Sequence, residues 1–199
     1  MTLSTPDLTA LIGSRICHDL ISPLGAIGNG VELLSMNVNP ESPEMGLIME
    51  SVGNANARIR FFRIAFGAAE KSQTLGFNEV SGILDDIGAA GRVSYDWQSI
   101  TDQPRLDVKL AFLVLQCLES AMPWGGRITV AVVGSQWAIT GIAGKLNIKT
   151  DLWQILSGGP DLPDLNAADV HFALSPIAAN DAGRKISFET SATEIRVRF

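Results

Sequence analysis

The first seventy residues repeat apolar side chains at spacings of three and four, and this fixes most of what that end can become. Leu8, Ile12, Ile16, Leu20, Leu24, Ile27, Val31 and Leu34 form one stripe of a long helix. Ser4, Thr5, Pro6 and Asp7 are residues of a helix start. Asn37 to Pro43 reads as a turn, and Met45, Ile48, Val52, Ala55, Ile59, Phe62 and Phe66 continue as a second helix. The expectation is an antiparallel helical hairpin. Two helices cannot enclose a core, and the second is apolar almost all round at Phe61, Phe62, Ile64, Ala65 and Phe66. A homodimer pairing two hairpins into a four-helix bundle is the simplest remedy. Cover from the rest of the chain is the alternative.

After the polar break Lys71–Gly76 the period changes. Phe77–Ala90 reads as a helix, Arg92–Gln98 as a strand and Leu106–Met122 as a buried helix. Arg127–Val133 and Gln136–Ala143 read as a hairpin, Asp151–Leu156 and Asp164–Ala179 as helices. Arg184–Glu189 and Glu194–Phe199 close the chain as a strand pair. The alternation lacks a strict βαβ rhythm, so the fold class is α+β with a mixed sheet. Residues 1–71 form the hairpin unit and 77–199 an α/β sandwich.

With 46% hydrophobic and 18% charged residues among 199, the chain has the material for a packed core. A net charge of −6 with no basic arm argues against direct nucleic-acid binding. The longest apolar run, Leu110–Leu118, is broken by Gln116 and falls short of the ~18 residues of a membrane span. No basic-then-apolar signal opens the sequence. Two distant cysteines, Cys17 and Cys117, and two histidines, His18 and His171, make no metal-type cluster. A reduced, cytoplasmic protein is the expectation.

Chemistry concentrates in Arg15-Ile16-Cys17-His18-Asp19-Leu20-Ile21-Ser22-Pro23-Leu24. At 100° per residue, position 18 lies nearly opposite the apolar stripe, so His18 is placed on the outer face. An outward histidine is ordinarily just solvated. Here Asp19 follows directly, and Pro23 imposes a helix-interior penalty of ~3 kcal/mol one turn later. Ser22, Gly25, Gly28 and Asn29 make the same face small, and Glu32 closes it. Glycines cost ~1 kcal/mol each inside a helix, which suits either close packing or a groove admitting another protein. Ile21 is the apolar candidate for recognition beside His18, and Arg15, one turn before it, is placed to assist an incoming phosphate.

His18-Asp19-Leu20-Ile21-Ser22-Pro23-Leu24 resembles the H-box of histidine kinase dimerisation domains. With Gly25-Ala26-Ile27-Gly28-Asn29-Gly30-Val31-Glu32-Leu33-Leu34 after it, the segment is similar to the ChpT family of alphaproteobacterial histidine phosphotransferases. The resemblance implies a dimerisation hairpin followed by a domain like the ATP-binding domain of histidine kinases. The exit Pro123-Trp124-Gly125-Gly126-Arg127-Ile128-Thr129-Val130 is similar to that of kinases. Yet no asparagine occurs between Asn78 and Asn147 to hold magnesium, and no aspartate between Asp107 and Asp151 to bind adenine. The segment where an adenine site belongs reads Thr140-Gly141-Ile142-Ala143-Gly144, and no glycine group has the Lys-Ser/Thr of a P-loop. ATP is therefore not an expected cofactor.

The resemblance implies that His18 accepts a phosphoryl group from the receiver domain of a hybrid histidine kinase. His18 then passes it to a response regulator of CtrA or CpdR type, with magnesium supplied by the receiver. Asp19 is the orienting or proton-accepting neighbour, and Gly25, Asn29 and Glu32 join Ile21 as docking residues. Ser22 stands where many kinases carry the residue used for phosphatase chemistry. The alternatives are a divergent ATP-binding kinase and a non-catalytic adaptor for receivers. His171, Trp124, Trp153 and Cys117 are expected to be packing residues, and Arg58, Arg60 and Arg63 a solvated or salt-bridged helix end.

Overall fold

A computed structural model describes residues 5–36, 43–158 and 165–199. Helix α1 (Thr5–Met36) and helix α2 (Pro43–Ala65) run antiparallel. Gly30 approaches Ile48 at one end of the pair, and Asp19 approaches Arg58 further along. The expected turn at Asn37–Pro43 lies outside the described residues up to Pro43, which begins α2. Gly30 is a close-approach position. A Cβ there would lie 2.9 Å from Ile48 Cδ1 and nearer still to Cγ1, so only glycine lets the backbones come this close.

A two-residue strand β1 (Thr74–Leu75) pairs antiparallel with β3 (Gln103–Pro104). Between them lie helix α3 (Phe77–Ala90) and strand β2 (Val93–Trp97). Helix α4 (Arg105–Ala121) then leads into strands β4 (Gly126–Val133) and β5 (Gln136–Ile142). Helix α5 (Thr150–Leu156), a 3₁₀ turn (Ala167–Asp169) and helix α6 (Val170–Asp181) precede β6 (Ser187–Thr190) and β7 (Glu194–Arg198). The main sheet has the order β2-β4-β5-β7-β6, with β2 and β4 parallel and the other pairs antiparallel. This is the expected α+β arrangement with a mixed sheet.

The core follows from the pattern of each element. Ile128 and Val130 on β4, Ile139 on β5, and Ile195 and Val197 on β7 alternate onto one face and are sealed from water. Residues 110–118 of α4 are buried without interruption over that layer. The turn from α4 into β4 needs glycine: Gly125 has φ +93°, and a Cβ on it would meet the Arg92 carbonyl oxygen at 2.5 Å.

The end of α2 resolves the question its composition poses. Phe61, Phe62, Ile64 and Ala65 are buried, and Phe61 packs on Phe112 of α4 with ring centroids 4.6 Å apart. Cover for these residues comes from this chain itself. The apolar residues that stay uncovered lie higher on the hairpin: Leu24, Val31, Val52 and Ile59 are all exposed.

Two boundaries differ from the pattern reading. The helix expected from Asp164 begins as a 3₁₀ turn at Ala167, Asp164 itself lying outside the described residues, and α6 runs on to Asp181. The strand expected from Arg184 starts at Ser187, because the Arg184 side chain is drawn to α4 instead. Its Nε and Nη2 donate to the two oxygens of buried Asp107 at 2.9 and 2.7 Å, and its Nη1 to the Ser135 carbonyl at 2.6 Å. That bidentate pair satisfies a carboxylate which would otherwise be costly to bury.

Candidate functional site

Helix α1 continues through Pro23 and carries the whole histidine-bearing segment. Residues of α1 turned toward α2 recur at three and four: Asp19, Pro23, Ala26 and Gly30. A quarter-turn and more away lie Leu24, Ile27 and Val31 of the apolar stripe. Position 18 falls on a third face, with Ser22, Gly25 and Asn29, all exposed. The side chains of His18, Cys17 and Ile21 lie outside the described residues. Glu32 is exposed on the same helix.

Asp19 is not a surface carboxylate. Its side chain is only 8% exposed, and its Oδ2 accepts from Arg15 Nε at 2.9 Å and faces Arg58 Nη1 of α2 at 3.5 Å. Arg15 is likewise committed, since its Nη1 donates to the Ala168 carbonyl at 2.7 Å. One guanidinium thus ties the histidine helix both to its own next turn and to the 3₁₀ turn of the C-terminal half. Arg60 and Arg63 form exposed ion pairs with Asp86 and Glu79 of α3, as expected of a bridged helix end.

Beside Asp19 and Ser22 opens a cleft of about 350 Å³. Its far wall is Ser51, Asn54 and Arg58 of α2, and Ala90 at the end of α3 closes one side. Ser22 lines this cleft; Gly25, Asn29 and Glu32 do not. Behind Arg58 lies a void of about 10 Å³ shared by Arg15, Asp19, Gln116 and Glu119. Glu119 of α4 lies close to Tyr95 of β2. Burial pushes the Glu119 carboxyl above its ordinary range, against the pull of Arg58 and Arg15, and pushes the Tyr95 phenol well up as well.

The sequence pattern does not mark Arg58, Glu119, Tyr95 or Gln116 as neighbours of the histidine segment. A weak signal exists for the first: Ser51, Asn54 and Arg58 recur at three and four and so share one face of the helix. Nothing local announces the other three. Thr140 and Gly141, on the segment where an adenine site would belong, sit inside β5 paired with Arg196 and Ile195 of β7. Among the described residues, no group of three or more His, Cys, Asp or Glu could hold a metal ion. No described helix is long and apolar enough to cross a membrane.

Of the packing residues, Trp153 is buried against Phe172 and Phe188, whereas Trp124 is exposed with Lys145 over its ring at 4.6 Å. Cys117 is buried in α4, and burial pushes its thiol up, as suits an inert side chain. His171 is buried against Phe172, and burial pulls its imidazole down to about 3.

The chain as a whole, helical hairpin and mixed-sheet domain together, is similar to known proteins. The family model for the histidine phosphotransferase C-terminal domain matches residues 77–194. The chain is 34% identical over 201 residues to the protein phosphotransferase ChpT of Brucella abortus (strain 2308), covering 98% of this chain and 96% of that one. A solved structure of a bacterial phosphotransferase matches with TM-score 0.84 at 33% identity, covering 100% of this chain and 98% of the other. The chain belongs to the ChpT family of histidine phosphotransferases.

Proposed function

We propose that this protein relays a phosphoryl group between the aspartates of two receiver domains through a phosphohistidine at His18. The observation that carries the reading is the turn His18–Ser22 of α1, set beside an open polar cleft with Asp19 anchored from both helices. A neutral imidazole, near its reference pKa of ~6.5, is a competent nucleophile. Its lone pair forms the P–N bond while the P–O bond to the donor aspartate breaks, and that aspartate leaves as a carboxylate. Asp19 would be the orienting or proton-accepting neighbour of that imidazole. Reversal onto a second receiver completes the relay. Magnesium held by the receiver would offset the charge on the transferring oxygens, so this chain needs only to present and orient one side chain.

Dimerisation through the uncovered hairpin face belongs to the same reading. Leu24, Val31, Val52 and Ile59 are the residues that would form the seam of a four-helix bundle. Donors would be receivers of hybrid kinases, and acceptors response regulators of CtrA or CpdR type, all acting in the cytoplasm without ATP bound to this chain.

The test is a phosphorelay assay with a hybrid kinase, its receiver and radiolabelled ATP, comparing wild type with His18→Gln. Acid-labile, base-stable label on the wild type, requiring the receiver and lost in His18→Gln, is the expected result. Label without any receiver would make the chain a kinase. No label at all, with receiver binding intact, would make it an adaptor.

A further inference from the structure

Arg58 separates two spaces, the open cleft on its outer side and the one-water-sized void on its inner side. Its guanidinium faces the same Asp19 oxygen that Arg15 binds. The two cations do different work. Arg15 stands on α1 itself, so it follows Asp19 through any rotation of that helix. Arg58 comes from α2 and fixes the carboxylate relative to the second helix and, through Phe61 and Phe62 in the next turn, to the buried core.

The inner wall brings a second carboxyl near Arg58. Glu119, half-buried on α4, feels the charges of Arg58 and Arg15, with Tyr95 of β2 beside it. Gln116, one turn earlier on α4, lines the same void, and both polar atoms of its buried amide lack a protein partner. A void of one-water size beside an unpartnered buried amide suits a bridging water. Arg58 therefore lies between the Glu119 carboxyl of α4 and the Asp19 carboxylate of α1.

We propose that Arg58 is a positioning residue for phosphotransfer: it fixes the Asp19 carboxylate beside His18 and acts on the reaction only through that carboxylate. The inference rests on the reading of His18 as phosphoacceptor. An imidazole oriented by its neighbour transfers well only if the neighbour occupies one place, and small misplacements are expensive in transfer chemistry.

The experiment uses the full chain and a phosphorylated receiver in single-turnover transfer, with the melting temperature of every variant measured in parallel. Arg58→Gln is expected to lower the rate at saturating receiver about tenfold without changing the half-saturating receiver concentration. Arg58→Lys should recover part of that loss. Asp19→Asn and the double variant Asp19→Asn with Arg58→Gln should be equally slow, because the second change removes nothing the first has left. Additive losses would overturn the proposal and put Arg58 on the phosphoryl group or the receiver itself. So would an unchanged rate, or a loss confined to the half-saturating concentration. If Arg58→Gln does not fold, Arg58→Lys alone and combined with Asp19→Asn carries the same comparison. Label that persists in His18→Gln would instead refute the phosphoacceptor reading, an outcome separate from any result at Arg58.

Discussion

Helices α1 and α4 are both long and apolar, yet they are stabilised in opposite ways. Every residue from Leu110 to Leu118 of α4 is buried by this chain alone. Along the much longer α1, Gly30 is the one buried residue among those described, and Leu24 and Val31 are 58% and 55% exposed. Helix α2 joins the two regimes, its Phe61–Ala65 end sunk in the core while Val52 and Ile59 face outward. One half of the molecule carries its stability internally. The other leaves an apolar face exposed, the face that the proposed dimer would cover.

The sharpest way to break this contrast is to truncate one residue in each regime. Phe112 is fully buried and packs on Phe61, so Phe112→Ala should cost about 3–5 kcal/mol at any protein concentration. On the proposed dimer, Ile59→Ala should cost little when the chain is dilute and more when it is concentrated, since a second copy would cover the exposed Ile59. Denaturant unfolding at two widely separated concentrations reads both. Equal, concentration-independent losses would mean the hairpin face is stable as it stands and would remove the argument for a dimer.

A smaller effect separates the two regions by pH. His171, enclosed by the α/β domain, is held neutral down to about 3. The unfolded chain takes up that proton near pH 6.5, so stability is complete above this value and is lost as pH falls below it. Between pH 7.5 and 5 the loss from this residue should be about 2 kcal/mol. Glu119 works in the other direction, because a carboxyl pushed up by burial favours the folded state as protons are added. His171→Leu should therefore flatten the acid limb of a plot of melting temperature against pH. If the wild-type slope survives that substitution, the acid sensitivity arises elsewhere.

These contrasts also explain what could be read without coordinates. Helix α4, the Gly125–Gly126 exit and the β4–β5 hairpin were legible because each is dictated by residues close in sequence. The β1–β3 pair was not, since two-residue strands joined only by main-chain bonds carry no side-chain pattern. The start of β6 was misplaced because Arg184 looks like a strand residue until Asp107, distant in sequence, claims it. At the site the same division holds. The histidine segment announces itself through Asp19 and Pro23, adjacent in the chain. Arg58 reads only as part of a solvated or salt-bridged helix end, because folding alone brings it to Asp19, and Glu119, Tyr95 and Gln116 meet it from elements with no local reason to converge.

The smallest expected effect tests the hairpin alone. Gly30 is a close contact between α1 and α2, yet glycine inside a helix costs ~1 kcal/mol relative to alanine. On propensity alone Gly30→Ala should stabilise α1 by that amount. The added Cβ would collide with Ile48 and approach the Glu44 carbonyl oxygen at 3.4 Å, and backbone on α2 cannot yield as a side-chain tip can. The two terms oppose each other, so a net destabilisation of about 1 kcal/mol is expected. Gly25→Ala is the matched control, because a Cβ there meets nothing within 4 Å and only the propensity gain remains. Opposite signs for the two substitutions in thermal unfolding would confirm a tight crossing at Gly30. Matching gains would mean that the helices stand further apart, and with them the contact between Arg58 and Asp19 would loosen.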